Sequence, residues 1–300
     1  MTEGQSDPLE SSRMTLAEHL SELRTRLTRG LIVFVIAFFV GWGFYKPLGQ
    51  ILLAPLMSTL EKIDADQVAK YEQILSEHSE TPRSKYFTSN EDSNKQLRRE
   101  YTIEKRPITT ALGEGFMFAL KVSMVFACFA GGPFLLWQMW QFIAAGLYEK
   151  ERRLVLSYFP ASVTLFLGGI LFGYYVVLPY GAYFLATAFS PEIAGSMFKL
   201  SEYFTFLTTL ILALGLVFQL PVIMFALVHV DLVERKDFIT YRSHFIVGAF
   251  IVSAILTPPD PFTLLMMALP MTALFEVGIF STRFIKHPGP APVGAAAESR

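Results

Sequence analysis

Six apolar runs organise the chain: Leu31–Tyr45, Phe116–Tyr148, Val155–Tyr180, Phe204–Val230, Phe245–Leu256 and Phe262–Phe280. A helical membrane span needs about 20 apolar residues. The runs therefore predict an all-α integral membrane protein with six transmembrane helices. The second run is too long for one straight crossing, and Gly131-Gly132-Pro133 inside it predicts a kink or a final segment lying in the interface. The fifth run rises only roughly 18 Å at ~1.5 Å per residue, short of a hydrocarbon core of about 30 Å. Thr257-Pro-Pro-Asp-Pro261 then forces a tight turn into the sixth. Short helices five and six joined by a rigid turn imply a half-depth hairpin, a thinned bilayer, or both. The first run follows about 30 polar residues and precedes no small-x-small cleavage pattern, so it is expected to stay as a membrane helix.

The polar segment before the first run has a pattern of its own. Thr15-Leu-Ala-Glu18 fits a capping box that starts a helix. Leu16, Leu20, Leu23 and Leu27 recur at spacings of four, three and four, forming one apolar stripe. Glu18, Glu22 and Arg26 lie four apart on the opposite side, with Arg29 near them. Periodicity alone favours Glu22 as a solvated partner of Arg26.

Short-loop charge predicts orientation. Arg24, Arg26 and Arg29 precede helix one, and Lys150, Arg152 and Arg153 lie between helices two and three. Arg235, Lys236 and Arg242 separate helices four and five, while Arg283 and Lys286 follow helix six. The opposite loops after helices three and five contain only Lys199. Both termini are expected in the cytoplasm, with the long loop Pro47 to Thr110 outside. Within that loop, residues 61–106 read as a core-poor insert with some helical content, followed by polar loop. The whole chain, 1–300, reads as one six-span domain with this insert and a flexible tail from residue 287.

Composition agrees with a membrane solvent. The chain is 52% hydrophobic and 17% charged with mean hydropathy +0.42, where a soluble domain is about 25% charged. A net charge of −1 gives no basic surface for nucleic acid. Cys128 is the single cysteine, so neither an intrachain disulfide nor a cysteine metal cluster can form. No HExxH, no Walker A sequence and no intramembrane aspartate pair is present, and the five histidines are scattered. No metal, cofactor or catalytic residue is expected.

Several ordered motifs carry a resemblance. They are "HLSELRTRL" before helix one, "APL" after it and "GPFLLWQMWQFIAAGLYEKERR" through helix two. "FQLPV" follows in helix four, "VGAF" in helix five, and "LTPPDPF" and "LFEVGIFSTRF" at the end. Together they resemble the TatC family, the multi-span core of the twin-arginine protein translocase. The resemblance implies a receptor in the cytoplasmic (inner) membrane of a bacterium. It would bind twin-arginine signal peptides of folded proteins and recruit single-span TatA- and TatB-type subunits. It would also self-associate and use the proton-motive force.

Residue by residue, the resemblance implies that Glu22 and Glu151 contact the arginine pair, with Arg24 and Phe142 near the same site. For Glu151 alone, a surface ion pair with Arg152 or Lys150 is the plainer reading, and Phe142 reads equally as an interfacial aromatic. Pro55 would lie in an outer loop where the family has a short cap helix. Pro133, Thr257, Asp260 and Glu276 read as structural or partner contacts, Asp260 as an N-cap before Pro261. Two positions depart from the family. Gln219 replaces a usual glutamate of a water-accessible concavity, and Leu264 replaces a frequent glutamine. The alternative function is a small-solute or ion transporter, with Gln138, Gln141 and Gln219 lining a path; an intramembrane enzyme is a third. A transporter would place polar groups at the midplane, whereas a receptor places its acids at the rim.

Overall fold

A computed structural model describes residues 16–77, 111–147, 149–187 and 199–285. Their helices are α1 (Leu16–Gly43), α2 (Tyr45–Glu77), α3 (Glu114–Ala145), α4 (Glu149–Ser157) and α5 (Phe159–Phe172). A π-helical turn, Gly173–Val177, leads into α6 (Leu178–Thr187), followed by α7 (Leu200–Val217) and α8 (Leu220–His229). The series ends with α9 (Arg235–Thr240), α10 (Arg242–Leu256), α11 (Pro261–Ser281) and a 3-10 turn at Thr282–Phe284.

Four helical stretches are long and apolar enough to cross a membrane: Glu114–Ala145, Arg152–Thr187, Leu200–His229 and Pro261–Phe284. α1 and the start of α2 qualify only as a pair bent by 86°, which brings the number to five. α10, at 15 residues, is the short fifth run. By length and composition the described residues thus give four or five spans rather than six.

The main core lies where α2, α3, α5, α6 and α7 meet, around Leu56, Leu60, Ile63, Val122, Phe166, Leu178, Phe204 and Leu207. This corrects the reading of the first outer loop. Helix begins at Tyr45 and runs 33 residues through Pro55, a buried residue within it. The insert cannot start at residue 61, because Ile63 is 1% exposed within the core. Residues 78–106 lie outside the described residues, as does the tail from 287. α3 is one helix of 32 residues, continuous through Gly131-Gly132-Pro133. The glycines there serve close packing. A side chain at Gly132 would collide with the Phe166 ring, and Gly131 lies beside the α1 backbone at Phe34.

Several irregularities in the helices are met by named partners. Proline has no N–H, so Pro55 leaves the Ile51 carbonyl without its helical donor. The Tyr174 hydroxyl donates to that oxygen at 2.6 Å, and the Tyr203 hydroxyl donates to the next carbonyl, Leu52, at 2.7 Å. The π-helical turn precedes Pro179, and there the Leu178 N–H reaches back five residues to the Gly173 carbonyl. Asp260 caps α11: its carboxylate accepts the Thr263 N–H at 2.7 Å and also the Thr263 hydroxyl, while Pro261 opens the helix. Arg242 and Glu276 pair at 2.5 Å and Phe245 stacks on Phe275 at 3.9 Å, tying α10 to α11.

Tyr174→Phe is expected to destabilise the protein by about 1–3 kcal/mol, the cost of an unpaired carbonyl in apolar surroundings. Pro55→Ala in that background supplies an N–H for Ile51 and should recover part of the loss. Thermal melting of the detergent-solubilised single and double variants measures both, and no recovery in the double variant would contradict the pairing.

Candidate functional site

The foot of α1 is amphipathic the wrong way round for a soluble helix. Leu20 and Leu27 of its apolar stripe are 64% and 62% exposed. Glu22 and Arg26 of its polar side turn inward, while Glu18 and Arg29 are exposed. Glu22 accepts a hydrogen bond from Arg26 Nε at 2.7 Å, and the two side chains are only 25% and 19% exposed. Such an arrangement suits a helix whose surroundings are apolar and whose polar face has work to do.

α3 supplies the facing wall. Phe142 stacks on His19 with ring centroids 4.5 Å apart and an interplanar angle of 24°. The helices approach closely because Gly30 of α1 faces Leu135 and Gln138, and Gly146 at the end of α3 faces the His19 ring. Above the Glu22–Arg26 pair opens a cleft of about 410 Å³ between α1, α3, α5 and α7, within the size range of ligand sites. Arg26, Phe142 and Gln138 line it with Leu23, Phe34, Met139, Phe166 and Leu216. Gln138 is 7% exposed and its Oε1 has no hydrogen-bond partner.

Of the residues singled out by sequence, this region brings together Glu22 and Phe142, with Arg24 exposed on the same foot. Glu151 belongs to α4, which follows α3, but its side chain lies outside the described residues. The other residues are elsewhere. Thr257 is buried at the end of α10, its hydroxyl donating back to the Ser253 carbonyl at 2.8 Å. That bond caps its own helix, and no partner contact is visible in it. Glu276 is held by Arg242, and Asp260 by its cap.

A family model for the Sec-independent protein translocase protein TatC matches residues 18–270. The chain belongs to the TatC family. A TatC protein of Azotobacter chroococcum is 31% identical over 274 residues, covering 91% of each chain. The Escherichia coli TatC protein is 30% identical over 90% of this chain and 88% of its own. A crystal structure of the twin arginine translocase receptor TatC matches with a TM-score of 0.70 and 26% identity, covering 90% of this chain and all of that one. With its apolar helices, this TatC-family chain is a multi-pass membrane protein.

The departure at Gln219 has a structural answer that overturns the expected wet concavity. Gln219 is 2% exposed, at the break between α7 and α8. Its Nε2 donates to the Ser162 carbonyl at 3.1 Å, and the Ser162 hydroxyl donates to its Oε1. The amide thus bridges α5 to the α7–α8 break, and a carboxylate could not donate in its place. It does not line the cleft that holds Gln138, so the two amides mark no common solute path. Sequence reasoning gave no site role to His19, Ser162 or Arg242. His19 was readable from its place in "HLSELR", but Ser162 stands 57 residues from Gln219, with no local signal.

Gln219→Glu is expected to be less stable than Gln219→Leu at neutral pH, since it buries a charge against a carbonyl. Melting temperatures of the two detergent-solubilised variants at neutral pH test this, and a Gln219→Glu protein at least as stable as Gln219→Leu would contradict it.

Proposed function

We propose that this chain is the signal-receptor subunit of a twin-arginine translocase, with Glu22 and Glu151 jointly holding the arginine pair of an export signal. One observation carries the reading: an acid is half-buried on the inward face of the α1 foot, at the mouth of an apolar cleft. Carboxylate and guanidinium pair as a planar, two-pronged fork that lysine cannot reproduce. The short-loop lysines and arginines put this rim in the cytoplasm, with both termini inside and α10 counted as a thin sixth crossing. The membrane is then the inner membrane of a bacterium. The outward apolar face of α10, with Val247, Ile251 and Ile255 exposed, offers a surface for single-span TatA- or TatB-type subunits. Self-association and drive by the proton-motive force belong to the same reading.

Glu22 is already neutralised by Arg26, so an incoming guanidinium must exchange with an internal one. A charge-assisted hydrogen bond contributes about 1.5–3 kcal/mol net. Because the exchange returns part of that, Glu22→Gln is expected to weaken peptide binding about ten-fold, the low end of the range. The Glu22→Gln, Glu151→Gln double variant is expected to lose more. Arg26→Gln is expected to tighten binding, with a steeper salt dependence, because it frees Glu22. Affinity of the solubilised protein for twin-arginine and twin-lysine peptides at fixed salt measures this. Unchanged binding in the double variant would overturn the proposal, and weaker binding by Arg26→Gln would overturn the exchange.

A further inference from the structure

Gln138 stands apart from the other buried amide of the bundle. Gln219 is bonded through both ends of its amide, whereas Gln138, 93% buried by the same measure, has an Oε1 without a partner. Its stem packs against Gly30 of α1, and the residue lines the apolar cleft that opens beside Arg26 and Phe142. A buried acceptor without a donor costs stability, so the site is arranged for a donor that arrives with a ligand. The ligand must also fill apolar space.

An export signal has that composition in that order: a basic region, then an apolar segment of about 7–15 residues. The rim has the complementary order, an acid at the mouth and an apolar cleft above it. An apolar segment enters lipid as a helix, and the N–H groups of its first turn have no helical acceptor. We propose that the cleft receives the first turn of the apolar segment that follows the arginine pair, and that Gln138 Oε1 accepts one of its unpaired backbone N–H groups. Gln138 is then a specificity-determining residue for the apolar part of the signal. This rests on the reading of Glu22 as the arginine site.

The test uses the full chain in phosphatidylethanolamine–phosphatidylglycerol nanodiscs and two labelled peptides. One has the arginine pair and its apolar segment; the other has the pair followed by Gly/Ser. Gln138→Leu removes the acceptor at similar volume and is expected to weaken the complete peptide about five- to ten-fold. It is expected to leave the Gly/Ser peptide unchanged and to raise thermal stability. Leu216→Trp, which fills the cleft from an exposed position, is expected to give the same split. If the Gly/Ser peptide binds in a Glu22-dependent way but neither variant affects the complete peptide, the cleft proposal falls and the arginine site stands. If the Gly/Ser peptide does not bind wild-type protein, the arginine site itself fails. If the variants release a co-purified phospholipid with no change in peptide affinity, the cleft is a lipid site and the proposal is overturned.

Discussion

In an apolar surrounding, each hydrogen-bonding group that leaves the helical ladder must find a partner within the chain. This constraint explains why the bundle tolerates so many prolines. Pro55 is accommodated because Tyr174 reaches the carbonyl it orphans. The α7–α8 break before Pro221 is closed from α5 by Ser162 and Gln219. The turn into α11 closes on Asp260 and Thr263. Through these bonds the breaks become fixed joints within the bundle, against which α1 packs on α3 through small residues such as Gly30 and Gly131.

The same constraint makes the functional end conspicuous. On the α1 foot Glu22 and Arg26 turn toward the protein while Leu20 is exposed, the reverse of a helix floating on water. Glu22 is satisfied by Arg26, an internal mimic of the arginine a ligand would bring. Holding the acid paired at rest spares the unliganded protein a half-buried bare charge, at the cost of some affinity for the ligand. Beside the cleft the amide oxygen of Gln138 is left without a partner, as is the Nδ1 of His19 nearby. On the proposed reading, electrostatics would select at the mouth, and shape with one hydrogen bond above it.

Much of this was legible in the sequence, through features that are local. The apolar runs, the Asp260-Pro261 cap and the Glu22–Arg26 spacing follow from periodicity and turn chemistry within a few residues. The core role of Leu56, Leu60 and Ile63 was also written at helical spacing, but Pro55 and the surrounding charges made the segment read as part of a core-poor outer loop with some helical content. The packing role of Gly131-Gly132-Pro133 was hidden for a different reason. Small residues there accept close neighbours from α1 and α5, and neighbours are not visible in a window of sequence. Gln219 was misplaced likewise. Its partner Ser162 lies 57 residues away, so whether the amide meets water or a serine is decided by tertiary packing alone.

The central claim is that the inward face of the α1 foot and the cleft above it receive the export signal. Photocrosslinking tests it most directly, with a photoreactive residue in place of Met139 in the cleft wall and, separately, in place of Leu265 on the exposed side of α11. The account predicts that a twin-arginine signal peptide crosslinks from position 139 and that its twin-lysine counterpart does not. Crosslinking from position 265 alone, with position 139 silent in folded protein, would contradict it.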